Sequence, residues 1–423
     1  MTQTPTPVVD GPSAPTDLQD ERLIRPTGVR ENLAAQVKRV RTGDLGALPV
    51  IIGLLIICVI FQIISPIFLG AENIGTIILL YSAPTGVIAV GIVLVLLLGQ
   101  IDLSVGSMSG VAASIFAVIF TAGHVPEWAV IIIALLSGVV VGFVYGFLFI
   151  RFSVPSFVIT LAGLLSLLGA QLAILGPVGD FNIKSTSFIV QLGQSWYLPP
   201  VIAYILVVVS AGGYLLSGVV RSRARNRAGL STPGLTGLVV RSALLLVGLG
   251  LLVAYLDSYS NGGVATSFAF LVVLVVIMNY ALTRTKWGRD VFAVGGNVEA
   301  ARRAGIRVNR VYMSVFVLCA GLAALGGLMA MGLLGETTQS SGSGNVNLDA
   351  IAAAVIGGTS LFGGRGSAWS ALLGILVIEA IQAGLNLMNL NSDWQFIVTG
   401  VVLLIAVTVD SLSRRSRVAA GRA

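Results

Sequence analysis

The chain has 423 residues, of which 56% are hydrophobic and only 10% are charged, and its formal net charge is +7. Because soluble domains carry about 25% charged residues, this composition excludes an ordinary soluble protein and indicates an integral membrane protein. The basic residues lie beside apolar runs, where they act as topology signals, so we expect no nucleic-acid partner.

The two ends of the chain are predicted to be cytoplasmic tails around a membrane domain at 47–412. Residues 1 to about 30 are rich in Pro, Thr and Asp and lack apolar periodicity, which predicts disorder. Residues 31–41 place apolar side chains on one helical face and basic ones elsewhere, which predicts an interfacial helix against membrane lipid. Residues 413–423 form the second tail.

About twelve apolar segments lie between residues 47 and 411, and most reach the ~20 residues needed to cross ~30 Å of hydrocarbon. We therefore predict an all-α, polytopic integral membrane helical bundle of about 10–12 transmembrane segments. The run 348–362 is short and 241–258 is marginal, so either is open to being a half-helix buried in protein. Basic loops fall on one side if every segment crosses, which predicts that both termini face the cytosol.

A turn between two early apolar runs, GQIDLSVGS at 99–107, contains an unusual acidic residue. One interpretation is that Asp102 or Ser104 caps the following helix. The other makes this turn part of a gate or a substrate-facing loop. Both can hold at once.

The basic segment RSRARNR at 221–227 lies between two later apolar runs. Its arginines fit a topology determinant, and a partner contact or an anionic-lipid site is the alternative.

The segment from Arg284 to Arg310 carries seven Arg or Lys residues and contains a short helix signal. Asn297 is the predicted N-cap and Gly305 the stop, with acid in the first turn and base in the last. Glu299 is also placed to pair with Arg303 at i,i+4. A capped helix on the cationic side of a membrane protein offers a contact for a cytosolic machine.

Glu379 lies near the middle of the apolar run 367–389. A lone charge there costs about 2.5–3.5 kcal/mol on insertion scales. Gln382 and Asn386 follow at i+3 and i+7 on the same helical face. These side chains form either a polar wall of a permeation path or an interhelical hydrogen-bond cluster.

Motifs for chemistry on this chain are absent from the sequence. It has one histidine and no G-x-x-x-x-G-K-[ST] motif, so we expect neither a P-loop ATPase nor a His-based metal site. Cys58 and Cys319 lie in apolar runs and are expected to be buried thiols. An ion-coupled secondary transporter is the alternative class, which would need intramembrane carboxylates or a cation site. Glu379 is the single clear candidate for such a group.

Three segments, in order, resemble the permease subunit of bacterial sugar ABC importers in the ribose/xylose branch, and the extra apolar material near 199–258 resembles its xylose-type members. Gln100 stands where the family usually has a second glycine. The matching segments are GQIDLSVGSMSG (99–110), GRDVFAVGGNVEAARRAGI (288–306) and LDAIAAAVIGGTSLFGGRGS (348–367).

The resemblance implies the larger importer-type ABC permease fold in the bacterial cytoplasmic (inner) membrane, and import of a monosaccharide, with a pentose such as D-xylose expected. It also implies a homodimer with a second permease copy, a cytosolic ATPase subunit that holds ATP and Mg, and an extracytoplasmic sugar-binding protein. No cofactor is expected on this chain. The residues predicted to couple to the ATPase within the loop 284–310 are Asn297, Glu299, Ala300, Ala301, Arg302, Arg303 and Gly305; those predicted for the path or gate are Asp102, Ser104, Glu379, Gln382 and Asn386.

Overall fold

The computed structural model describes the central part of the chain. The predicted tails, with their interfacial helix, lie outside the described residues. The described residues are 48–228, 230, 235–258, 263–391, 393–394, 396–402, 404–405, 408 and 411.

The described chain is almost entirely helical, as its apolar periodicity predicts. A two-stranded antiparallel sheet pairs Phe181 with Thr337 and Asn182 with Glu336. The helices are α1 Leu48–Ile64, α2 Asn73–Leu97, α3 Val105–Ala122, α4 Glu127–Phe152, α5 Ser156–Leu175, α6 Pro200–Arg227, α7 Leu235–Asp257, α8 Thr266–Arg284, α9 Lys286–Gly296, α10 Val298–Arg303, α11 Val308–Leu334, α12 Val346–Ile356 and α13 Ala368–Leu387, and the strands are β1 Phe181–Asn182 and β2 Glu336–Thr337.

Within the described residues, nine helices are long and apolar enough to cross a membrane, and α1 and α12 are shorter apolar helices. This finding confirms a polytopic helical membrane protein. The marginal run 241–258 belongs to α7, whose 23 residues are long enough to span. The short run 348–362 instead overlaps the 11-residue α12, which covers only ~16 Å at 1.5 Å per residue.

The chain forms two compact units, one from Pro199 to Tyr255 and the other from the remaining described residues. The smaller unit holds α6 and nearly all of α7. Leu238 packs directly on Gly218, and the Ser242 hydroxyl donates to the Ala211 carbonyl at 2.8 Å. These contacts fix α6 and α7 as an antiparallel pair.

The larger unit is built around α2 and α11, which each contribute more residues to its buried core than any other helix. Three glycines of α4 face α11, as their spacing of four predicts. A Cβ added at Gly138 or Gly142 would lie 2.5 Å from the carbonyl oxygen of Ala320 or Phe316, respectively. Only glycine permits this approach of the two backbones.

Candidate functional site

The predicted cytosolic helix exists as α10, with the predicted cap at each end. The side chain of Asn297 accepts a hydrogen bond from the backbone N–H of Ala300 at 2.9 Å. Gly305 ends the helix at φ +81° and donates its N–H to the Arg302 carbonyl, while Ile306 donates to Ala301. This pair of hydrogen bonds is a Schellman motif, which satisfies the last helical carbonyls.

One face of α10 is anchored and the rest is open. Ala301 is buried, and Val298 and Ile306 are half-buried against the core of the larger unit. The helix therefore rests on the membrane bundle through a narrow apolar strip. The other residues of the predicted set are exposed: Asn297, Glu299, Ala300, Arg302, Arg303 and Gly305.

The ion pair on α10 differs from the expected one. Glu299 pairs with Arg302 at 3.1 Å, three residues away, so the predicted pairing with Arg303 is wrong. Positions i+3 and i+4 are both neighbours on a helix, and in this structure the carboxylate contacts the arginine at i+3. Both side chains are more than half exposed, so the pair contributes little to folding.

A junction of glycine backbones joins α9 to the rest of the bundle. A Cβ at Gly295 would overlap the Leu97 carbonyl oxygen at the end of α2 and lie 2.9 Å from the Gly364 nitrogen. Gly364 itself donates to that Leu97 carbonyl at 2.8 Å. A Cβ at Gly363, where φ is +82°, would lie 2.8 Å from the Gly295 carbonyl and 2.9 Å from the Gly99 nitrogen. We call Gly99, Gly295, Gly363 and Gly364 the glycine junction.

The glycine junction brings all three family-like segments into contact, which the sequence analysis did not foresee. Gly99 belongs to the first segment, Gly295 to the second, and Gly363 and Gly364 to the third. The available signal was that each segment carries a glycine next to a helix end. A glycine at such a place permits close backbone approach, but it does not say to which partner.

Asp102 is buried in the turn between α2 and α3, with 1% of its surface exposed. One carboxylate oxygen accepts from the Ser104 backbone N–H at 2.8 Å and from its hydroxyl at 2.7 Å. The other faces the Cys319 thiol at 3.8 Å. Ser104 is the N-cap residue of α3, and neither its side chain nor that of Asp102 accepts from an N–H group inside the helix, so the interpretation that Asp102 or Ser104 caps α3 is wrong.

The first turn of α3 is capped from another helix. The Gly106 N–H donates to the side-chain oxygen of Asn347, at the start of α12. Asp102 binds the Ser104 hydroxyl, which leaves the helix N–H groups to an acceptor 241 residues away. Two helix N-termini therefore meet here, beside the loop 338–345.

The loop 338–345 has irregular backbone that a buried side chain holds in place. Gln171 of α5 is fully buried, and its amide group donates to the carbonyls of Thr338 at 3.1 Å and Ser341 at 2.8 Å. Non-helical backbone at membrane depth is tolerated only where protein or a cavity satisfies it. The Gln171 amide provides hydrogen bonds to two of these backbone carbonyls.

The polar face of α13 passes from the core to the surface. Glu379 is buried, Gln382 is half-buried and Asn386 is exposed. The Gln382 amide donates to a carboxylate oxygen of Asp349 on α12 at 3.1 Å, so one of the three side chains makes an interhelical hydrogen bond, and the role of the set stays a prediction. Asp349 is itself buried, and it was not among the residues predicted from the sequence.

Within the described ranges, no group of three or more His, Cys, Asp or Glu side chains is placed to hold a metal ion. Cys319 is buried and Cys58 is half-buried, and both are free thiols.

Comparison with known proteins gives matches over most of the chain. Residues 74–407 match the family described as branched-chain amino acid transport system / permease component. The xylose transport system permease protein of Escherichia coli is 37% identical over 350 residues, 82% of this chain and 87% of that protein. The Haemophilus influenzae protein of the same name is 32% identical over 348 residues, 82% of this chain and 91% of the relative. The ribose import permease protein of Escherichia coli is 30% identical over 367 residues, 85% of this chain and 92% of the relative. No solved structure matches the chain.

Proposed function

This chain belongs to the family of transport-system permease components, in its ribose/xylose branch, and we propose that it is the membrane subunit of an ATP-driven ABC importer for a pentose such as xylose. The identity to xylose permeases over most of both chains is the observation that supports this function best. It favours the importer over an ion-coupled secondary transporter.

The proposed partners follow from the family. A permease of such an importer works with a cytosolic ATPase, which binds ATP and Mg, and with an extracytoplasmic sugar-binding protein. A second copy of the permease and cytosolic termini remain our predictions. The exposed charges of α10 and its rigid double capping support it as the contact for the ATPase.

α10 is connected to the membrane bundle at both of its ends. The Schellman turn after α10 leads directly into α11 through Ile306. On its other side, α9 meets α2 and the loop after α12 at the glycine junction. Because contacts between backbones have no flexible side chain to absorb a displacement, we propose that ATPase closure moves these elements as rigid bodies.

The proposed sugar path includes the polar groups that lie inside the bundle. Sugars present many hydroxyl groups, which amide and carboxylate side chains can bind. Gln382 and Asp349 offer such groups between α12 and α13. Asp102 and Ser104 bond each other within the single turn between α2 and α3, which supports a role in shaping that turn beside the path.

The test is ATP-driven uptake of labelled xylose into proteoliposomes that contain the permease, its ATPase and its binding protein. We expect uptake to require ATP and to persist with a protonophore. Uptake that collapses with the protonophore at constant ATP would instead support the ion-coupled class.

The coupling role is tested by changing the exposed pair on α10. We expect Glu299→Ala with Arg302→Ala to abolish xylose uptake and weaken ATPase capture in a pull-down. Thermal stability should change little, because exposed pairs contribute about 0–1 kcal/mol. The matched control, Glu299→Arg with Arg302→Glu, keeps an ion pair but exchanges the positions of its two charges, and it should remain defective. Normal uptake in both variants would refute the coupling role.

A further inference from the structure

The α6–α7 pair ends in a cluster of arginines. α6 has 28 residues, so at 1.5 Å per residue it is ~42 Å long and exceeds ~30 Å of hydrocarbon. Its final residues carry the arginines, and no Asp or Glu occurs between residues 199 and 255. This stretch of sequence is therefore strongly basic. The arginines are Arg221, Arg223 and Arg227, which are exposed, and Arg225, which is half-buried.

A fifth arginine lies inside the span of α7. The contacts of Ser242 with Ala211 and of Leu238 with Gly218 set the antiparallel register. In that register Arg241 is opposite the residues near 213, on the order of 10 Å along the helices from Arg221. Arg241 is exposed, on a helix whose apolar residues are mostly exposed as well. An arginine on such a surface faces lipid.

Helix geometry directs this arginine toward the basic end. Side chains on an α-helix tilt toward its N-terminus, and α7 begins at Leu235, beside the end of α6. Arg241 can therefore extend its guanidinium toward the membrane surface where the other arginines lie. A topology signal requires charge beyond the span, so it does not account for an arginine within it.

We propose that Arg241 and the arginines at the end of α6 bind the phosphate group of an anionic phospholipid. Guanidinium groups bind phosphate through paired, charge-assisted hydrogen bonds, and a lipid phosphate lies at the depth that an extended Arg241 reaches. The lipid headgroup would thus compensate a charge whose exposure to hydrocarbon is otherwise unfavourable. This site is independent of the transported substrate and of the proposed coupling.

The experiment measures thermal unfolding of the purified full-length chain in phosphatidylcholine nanodiscs with increasing phosphatidylglycerol. Binding to the folded state raises its unfolding temperature, so the titration gives an apparent affinity. We expect Arg241→Gln to weaken that affinity about fivefold, and Arg221→Gln with Arg223→Gln to weaken it further. The matched control Arg310→Gln removes an exposed arginine outside the pair and should leave the affinity unchanged.

Two further measurements separate lipid binding from folding. Arg241→Lys keeps the charge and should retain most of the response. In pure phosphatidylcholine, whose headgroup carries a phosphate but no net negative charge, Arg241→Gln should be nearly as stable as the unaltered chain. Equal phosphatidylglycerol affinities for Arg241→Gln and Arg310→Gln would overturn the proposal, as would an equal temperature shift from soluble inorganic phosphate.

Discussion

Replacing Gly295 by alanine should uncouple ATP hydrolysis from transport. The added Cβ would overlap the Leu97 carbonyl oxygen and lie 2.9 Å from the Gly364 nitrogen. Ordinary carbon–oxygen contacts are not closer than about 3.3 Å, so α9 and the end of α2 must separate by more than about 1 Å. Both obstructing groups are backbone, and neither can rotate away.

The size of the effect follows from the contacts that the separation disturbs. Overpacking of this kind costs about 1–3 kcal/mol. Loss of the bond from Gly364 to Leu97 would add about 0.5–1.5 kcal/mol. A coupling free energy of about 1–3 kcal/mol corresponds to a 5–150-fold change. We therefore expect xylose uptake per ATP hydrolysed to fall at least about fivefold.

The assay compares uptake with ATP hydrolysis in the same proteoliposomes. ATPase capture should persist in Gly295→Ala, because the exposed surface of α10 is unchanged. The adjacent Gly296 is the matched control, since a Cβ added there meets nothing within 4 Å. Gly296→Ala should transport normally. The reasoning is refuted if the two variants have the same ratio of uptake to hydrolysis.

Two further substitutions test the packing that supports this site. Gly142→Ala would place a Cβ 2.5 Å from the Phe316 carbonyl oxygen and should lower stability by about 1–3 kcal/mol, measured by denaturant titration; Gly169→Ala, with nothing within 4 Å, should not. Asn347→Ala leaves the Gly106 N–H without its acceptor and should cost about 1–3 kcal/mol, whereas Asn347→Asp keeps an oxygen there. Equal stability within either pair would contradict the corresponding contact.

The features that sequence predicts here are those that depend on neighbours in the chain. The N-cap at Asn297 and the stop at Gly305 need only a few adjacent residues, and both are confirmed. The spans need only length and apolar composition, which also explains why the marginal run 241–258 was ambiguous. Its helix begins at Leu235, and Arg241 made the start look polar.

The features that sequence missed join residues far apart in the chain. Gln382 and Asp349 are 33 residues apart, and Gly106 and Asn347 are 241 apart. Each partner looks ordinary in its own segment, because a polar side chain near a helix end has many acceptable roles. Only the packing of α3, α12 and α13 decides which groups meet. The same reason explains the ion pair of Glu299, where two arginines were equally suitable by spacing.

The interlocked backbones of α4 and α11 constrain what kinds of rearrangement the bundle can make. With carbonyls seated against Gly138 and Gly142, sliding one helix along the other would drive an oxygen into the next side chain. The two helices must therefore move together as one rigid body when a cytosolic partner displaces the bundle. α11 meets α3 in the same way, because a Cβ added at Gly327 would overlap the Ser109 carbonyl oxygen, so an opening through the bilayer has to form at other helix contacts.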